Sequence, residues 1–92
     1  MIVRWSSEAR DDVDRLADFV AAYDPIRAGE IENELSQAPK RLLQFPRRCP
    51  RLGDFDPREV REYRVGSYVL RYEVAGTDIV VLRFFHSREN RF

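Results

Sequence analysis

Cysteine, histidine and lysine are nearly missing from this 92-residue sequence, which contains one residue of each, Cys49, His86 and Lys40. A lone Cys49 excludes an internal disulfide, a Cys-x-x-Cys pair and a Cys/His zinc pattern, so no metal or cofactor is expected and a reducing compartment fits best. Four glycines and five prolines are too few for a collagen-like or low-complexity chain. Net charge is missing too: sixteen basic residues oppose sixteen acidic ones, which removes the composition argument for a chain that simply coats nucleic acid. The apolar run Ile79 to Leu82 is far short of a membrane span, and no charged leader with an apolar stretch opens the sequence. The expectation is a soluble, cytoplasmic protein with no membrane partner.

What is present is ordinary for a globular chain: 43% hydrophobic and 12% aromatic residues. A chain this short reads as one domain over residues 1–92, with a thin stability margin that a permanent partner would supplement. Its charges are unevenly placed. Residues 1–45 hold six basic and nine acidic side chains, whereas residues 46–92 hold ten and seven, so the second half is where anion contacts are expected. All the basic residues but Lys40 are Arg, which suits bidentate and stacked contacts better than proton transfer.

Periodicity gives the element order. Ile2, Val3 and Trp5 form a short strand that ends at Ser6 and Ser7, either of which can cap a helix. From Glu8 to Tyr23 the apolar positions Ala9, Val13, Leu16, Ala17, Val20 and Tyr23 form one stripe, with Asp11, Asp12, Asp14 and Asp18 mostly off it. Asp24 and Pro25 read as a cap and first helical residue of a second helix with the stripe Ala28, Ile31, Leu35, Ala38, Leu42 and Phe45. Pro39 predicts a kink or restart near Ala38. Phe45 to Pro57 reads as a Pro-rich loop. Three strands follow, Val60–Val65, Tyr68–Val74 and Asp78–His86, joined by short Gly-containing links. The fold class is α+β, in the order β-α-α-β-β-β, with a helical hairpin packed on one face of a small antiparallel sheet.

Strand alternation places Tyr63, Val65, Tyr68, Leu70, Tyr72, Val74, Val80, Leu82 and Phe84 under the helices. The opposite side reads as polar, with Arg64, Arg71 and Arg83, joined by Arg4, and the acids Glu62 and Glu73. Two readings of that face stand side by side: cross-strand Arg/Glu pairs on a solvated surface, or an anion-recognising surface. Phe19, Ile26 and Leu43 fall out of phase with the buried stripes and are either core filling or an exposed patch open to a partner.

Trp5 and Ser6 with Ala9 and Asp12, Leu42 with Phe45 and Pro46, Arg61-Glu62-Tyr63 ahead of Tyr68 and Tyr72, and the closing His86-Ser87-Arg88-Glu89 together resemble the RelE/ParE toxin superfamily over nearly the whole chain. The resemblance implies a toxin of a type II toxin-antitoxin pair, neutralised by a cognate antitoxin and meeting operator DNA only through it. RelE-like members cleave mRNA on the ribosome; ParE-like members poison DNA gyrase.

For cleavage, His86 would serve as base or acid, and Arg88, Arg61 and Arg64 would hold the phosphate. The sequence departs from the RelE pattern at Val69, where an Arg is expected, and lacks the typical Lys pair and a terminal Tyr. The ParE-like branch is therefore the first reading, with no catalytic residue and no cofactor. On that reading Arg88, Arg64 and Arg83 contact the target, and Phe19, Ile26 and Leu43 contact the antitoxin. A third reading is a harmless relative kept for antitoxin binding or for repression of its own operon.

Overall fold

Ser6 ends the first strand and starts the first helix, and its hydrogen bonds tie both to the last strand. In a computed structural model that describes residues 1–89, its N–H donates to Val81 O at 3.0 Å and its Oγ donates to Leu82 O at 2.8 Å. The same Oγ accepts the Ala9 N–H at 3.0 Å, so Ser6 rather than Ser7 is the cap. Ser6→Ala should lower the unfolding free energy by about 1–2 kcal/mol, a lost cap plus an orphaned Leu82 carbonyl, measurable by urea titration.

The elements are β1 Ile2–Trp5, α1 Ser7–Ala21, α2 Pro25–Gln37, β2 Val60–Val65, β3 Tyr68–Ala75 and β4 Asp78–His86. Asp24 caps α2 by accepting the Arg27 N–H at 3.0 Å, ahead of Pro25. At Ala38 the expected break is a change of helix type, a 3-10 turn over Ala38–Leu43 with Pro39 at its start. The α+β order is as the sequence predicts, but the sheet is mixed rather than wholly antiparallel. Its strand order is β1-β4-β3-β2, with β1 parallel to β4 and the other pairs antiparallel. A helical hairpin separates β1 from the meander, so the first strand returns to the sheet as a crossover rather than as a hairpin arm. Gly66 and Gly76 sit at φ +60°, the left-handed conformation that two-residue hairpin turns need.

The core lies between the hairpin and one sheet face. Leu16 and Val20 of α1 and Ile31 and Leu35 of α2 join Leu70, Tyr72, Ile79, Val81 and Phe84 in one buried cluster. Val80 and Leu82, expected in that core, are not in it. Tyr72 pairs with Val81 and Arg71 with Arg83, which leaves Leu82 without a counterpart on β3. This bulge shifts the phase of β4, so Ile79 and Val81 point inward before it and Phe84 after it.

Tyr23 and Phe45, read as the ends of buried stripes, are 72% and 57% exposed. Helix α1 stops at Ala21 and the 3-10 turn stops at Leu43, so both rings lie past the period that would have buried them.

The Pro-rich loop runs along the outer edge of β2, where Leu52 N–H donates to Val60 O and Glu62 N–H to Pro50 O. The face away from the helices is not simply polar, since Val60, Val69 and Phe85 are buried there. The Arg71 guanidinium lies 5.2 Å from both the Phe55 and Phe85 ring centroids and pairs with Glu62 at 3.0 Å. The acid-base pairing reading of this face therefore holds for Arg71.

Candidate functional site

Asp12 organises the junction between α1, β4 and the segment after it. β1 pairs with β4 only as far as Trp5 and Val81, so the next outward N–H on that edge, from Phe84, needs another acceptor. Asp12 supplies it, with Oδ2 2.9 Å from Phe84 N and 2.7 Å from Arg83 Nε. Its Oδ1 accepts from Arg83 Nη2 at 3.1 Å and from Arg15 Nη2 at 3.3 Å. Burial pushes the carboxyl up, but the bonds from Arg83, Phe84 and Arg15 outweigh it and hold Asp12 below its ordinary value. The sequence placed this acid off the buried stripe, yet it is only 4% exposed. Its place in the resemblance motif was the available signal.

The network continues into the last described residues. Arg15 Nη1 reaches Glu89 at 2.7 Å, and Glu89 Oε1 accepts the His86 N–H at 2.7 Å. His86 Nδ1 accepts the Arg88 N–H at 3.1 Å, which assigns the ring proton to Nε2, and its ring meets Tyr68 edge-on at 5.3 Å. The turn after β4 is thereby fastened to α1. Arg88 is exposed there, and Arg91 lies outside the described residues.

A cavity of about 640 Å³ opens between this turn and the end of the hairpin, lined by Phe19, Tyr23, Tyr68, His86 and Arg88 among others. Phe19 and Tyr23 stack edge to face at 6.5 Å. Phe19 is 75% exposed and Ile26, at the start of α2, 80%. Exposed rather than core is therefore the outcome for Phe19. Tyr23 belongs to the same patch and was missed because its spacing matched the buried stripe. Leu43 is also exposed, but it sits beyond the far end of α2 and does not join them.

The residues named for cleavage are divided between places. His86 shares the helix-side face with Tyr68, and Arg88 follows it. Arg64 is exposed on the other face and lines a separate cavity. Arg61 is used internally, bonding Glu59 at 3.0 Å and the carbonyls of Cys49 and Arg47 at 2.6 and 3.2 Å. Beneath it, the Tyr72 hydroxyl donates to Pro46 O at 2.7 Å, and burial pushes the phenol far above its usual range. Arg83, named for target contact, is engaged by Asp12. Among the described residues no cluster of His, Cys, Asp and Glu is arranged to hold a metal ion, and no helix is long and apolar enough to cross a membrane.

Fold and site together define a small α+β protein that presents surfaces: an apolar patch at the hairpin end, bordered by a turn that bears Arg88 and that α1 holds in place through Glu89. The model of the ParE toxin of type II toxin-antitoxin systems, parDE, matches residues 3–91, and the chain belongs to that family. It is a ParE-like member of the RelE/ParE superfamily, a type II toxin whose family implies an antitoxin partner. A chain of the chromosomal ParDE toxin-antitoxin system of P. aeruginosa has the same fold, with a TM-score of 0.76 at 19% identity, over 94% of this chain and 95% of that one. No curated protein matches the sequence.

Proposed function

We propose that the protein is a cytoplasmic toxin that inhibits DNA gyrase and is held inactive by a cognate antitoxin seated on the hairpin-end patch. The observation that carries the reading is the pairing, within a ParE family member, of exposed Phe19, Tyr23 and Ile26 with the anchored turn bearing Arg88. An amphipathic antitoxin segment would cover the rings with its apolar face and meet Arg88 with an acidic one. The same contact would mask the Arg88 guanidinium offered to the target. Arg64 and Arg83 are further target contacts on this reading, although Asp12 already holds Arg83.

Expression without the antitoxin tests the activity. SOS induction, filamentation and loss of supercoiling by purified gyrase are expected; prompt arrest of translation with intact supercoiling would replace gyrase with the ribosome. An unaffected culture would favour the third reading. Arg88→Ala should raise the concentration needed for half-inhibition of gyrase roughly tenfold, as expected for loss of one charged interface contact. Arg10→Ala, on the exterior of α1 beside Trp5, should leave it unchanged. Equal losses in both variants would remove the assignment.

A further inference from the structure

We infer that the cavity between the 3-10 turn, the Pro-rich loop and β2 binds a nucleotide unit, a phosphate together with a base, without cleaving it. The cavity has a volume of about 740 Å³, within the range of roughly 300–1,000 Å³ common for small-molecule sites. Three arginines from three separate elements line it: Arg41 from the 3-10 turn, Arg48 from the loop and Arg64 from β2.

Elsewhere this neutral protein pairs most of its arginines, Arg10 and Arg88 being the exceptions among the described residues. Arg4, Arg15, Arg27, Arg47, Arg51, Arg58, Arg61, Arg71 and Arg83 all meet carboxylates. Arg41, Arg48 and Arg64 make no ion pair among the described residues, and all three are exposed. The contrast is sharpest at neighbours, since Arg47 pairs with Glu59 at 2.8 Å while Arg48 turns to the cavity. Like charges gathered around one concavity repel one another until an anion joins them, and the guanidinium fork matches phosphate oxygens.

The apolar half of the ligand follows from the other walls. Phe45 is more than half exposed and lines this cavity, as Tyr63 does, so two aromatic side chains share its wall with the arginines. Aromatic rings beside arginines suit a base stacked next to its own phosphate. A carboxylate ligand would use the charges but leave Phe45 in water. Glu62 also lines the cavity, but its carboxylate is held by Arg71. His86 lies on the helix-side face and does not line it, so the site has no histidine for proton transfer. Binding is the chemistry these walls support.

Free nucleotides and single strands offer the same phosphate-base unit. Fluorescence anisotropy of the full chain, free of antitoxin, with a short labelled oligothymidylate and with ATP as competitor separates them. Saturable binding is expected, weakened tenfold or more by Arg48→Ala and by Arg64→Ala, and unchanged by Arg10→Ala. With one phosphate neutralised the slope of log affinity against log salt should be about −0.7, and each substitution should flatten it. Displacement by ATP at comparable affinity identifies the free nucleotide as ligand; retention of the strand against ATP identifies the strand. Either result upholds the site. Affinity indifferent to Arg48→Ala and Arg64→Ala, or binding of polyglutamate in place of both nucleotide probes, overturns it, the latter in favour of an acidic peptide.

Discussion

Asp12→Ala should lower the unfolding free energy by about 2–4 kcal/mol, the largest single-residue loss expected outside the apolar core. The substitution removes a buried acceptor from Phe84 N–H and the counter-charge of Arg83 together. Arg83 is partly exposed, so water takes up part of its charge and keeps the loss below that of a fully buried pair. Acidification gives a second readout. Because the folded state holds Asp12 below its ordinary value, its stabilisation is complete above the unfolded carboxyl value of about 3.9 and disappears as pH falls through the lower folded one. Glu59, depressed against its own burial by Arg47 and Arg61, acts in the same direction. Wild type should therefore lose stability below about pH 4, and Asp12→Ala should lose less over the same interval. Equal acid sensitivity in chemical denaturation of the two proteins would show that Asp12 is not the group responsible.

Phe19→Asp combined with Tyr23→Asp should weaken antitoxin binding by about a hundredfold, as expected when anchoring aromatics at an interface are lost. Both rings are mostly exposed in the free toxin, so the folded state gives up little packing and the melting temperature should stay within a few degrees. Calorimetric titration with the copurified antitoxin measures the affinity directly. Leu43→Asp is the internal comparison, because Leu43 lies away from the patch; a loss as large as that of the double variant would extend the footprint along the whole of α2.

Much of this arrangement was legible from residue spacing. The strand, the paired helices, the break at Pro39 and the meander all follow from local periodicity and turn chemistry, which need only nearby residues. The parallel seating of β1 was not legible, because it depends on a partner strand more than seventy positions away. The bulge at Leu82 was equally hidden: β4 is apolar at Ile79, Val80, Val81 and Leu82 in turn, so alternation alone offers two phases with equal support. Asp12 was misread for a related reason. Its charge suggested solvent, whereas the early end of β1 leaves an N–H on β4 that only an acceptor from α1 can satisfy.

For the candidate site, phase analysis picked out Phe19 and Ile26 as misfits, and the fold brings them to one end of the hairpin. Tyr23 escaped because it fitted the helical period in a place where the helix had already ended. The cluster of Arg41, Arg48 and Arg64 was illegible for a different reason. Its members come from separate elements, and their lack of carboxylate partners becomes visible only when every other pairing is known.

The parallel contact between β1 and β4 also orders events during translation. Ile2–Trp5 leave the ribosome well before their docking strand, Asp78–His86. The newborn β1 segment must wait, its edge unsatisfied, until the helices and the meander have been made. A toxin assembled in this way acquires its finished surface only after β4 has emerged, so an antitoxin that reads that surface has nothing complete to bind before then.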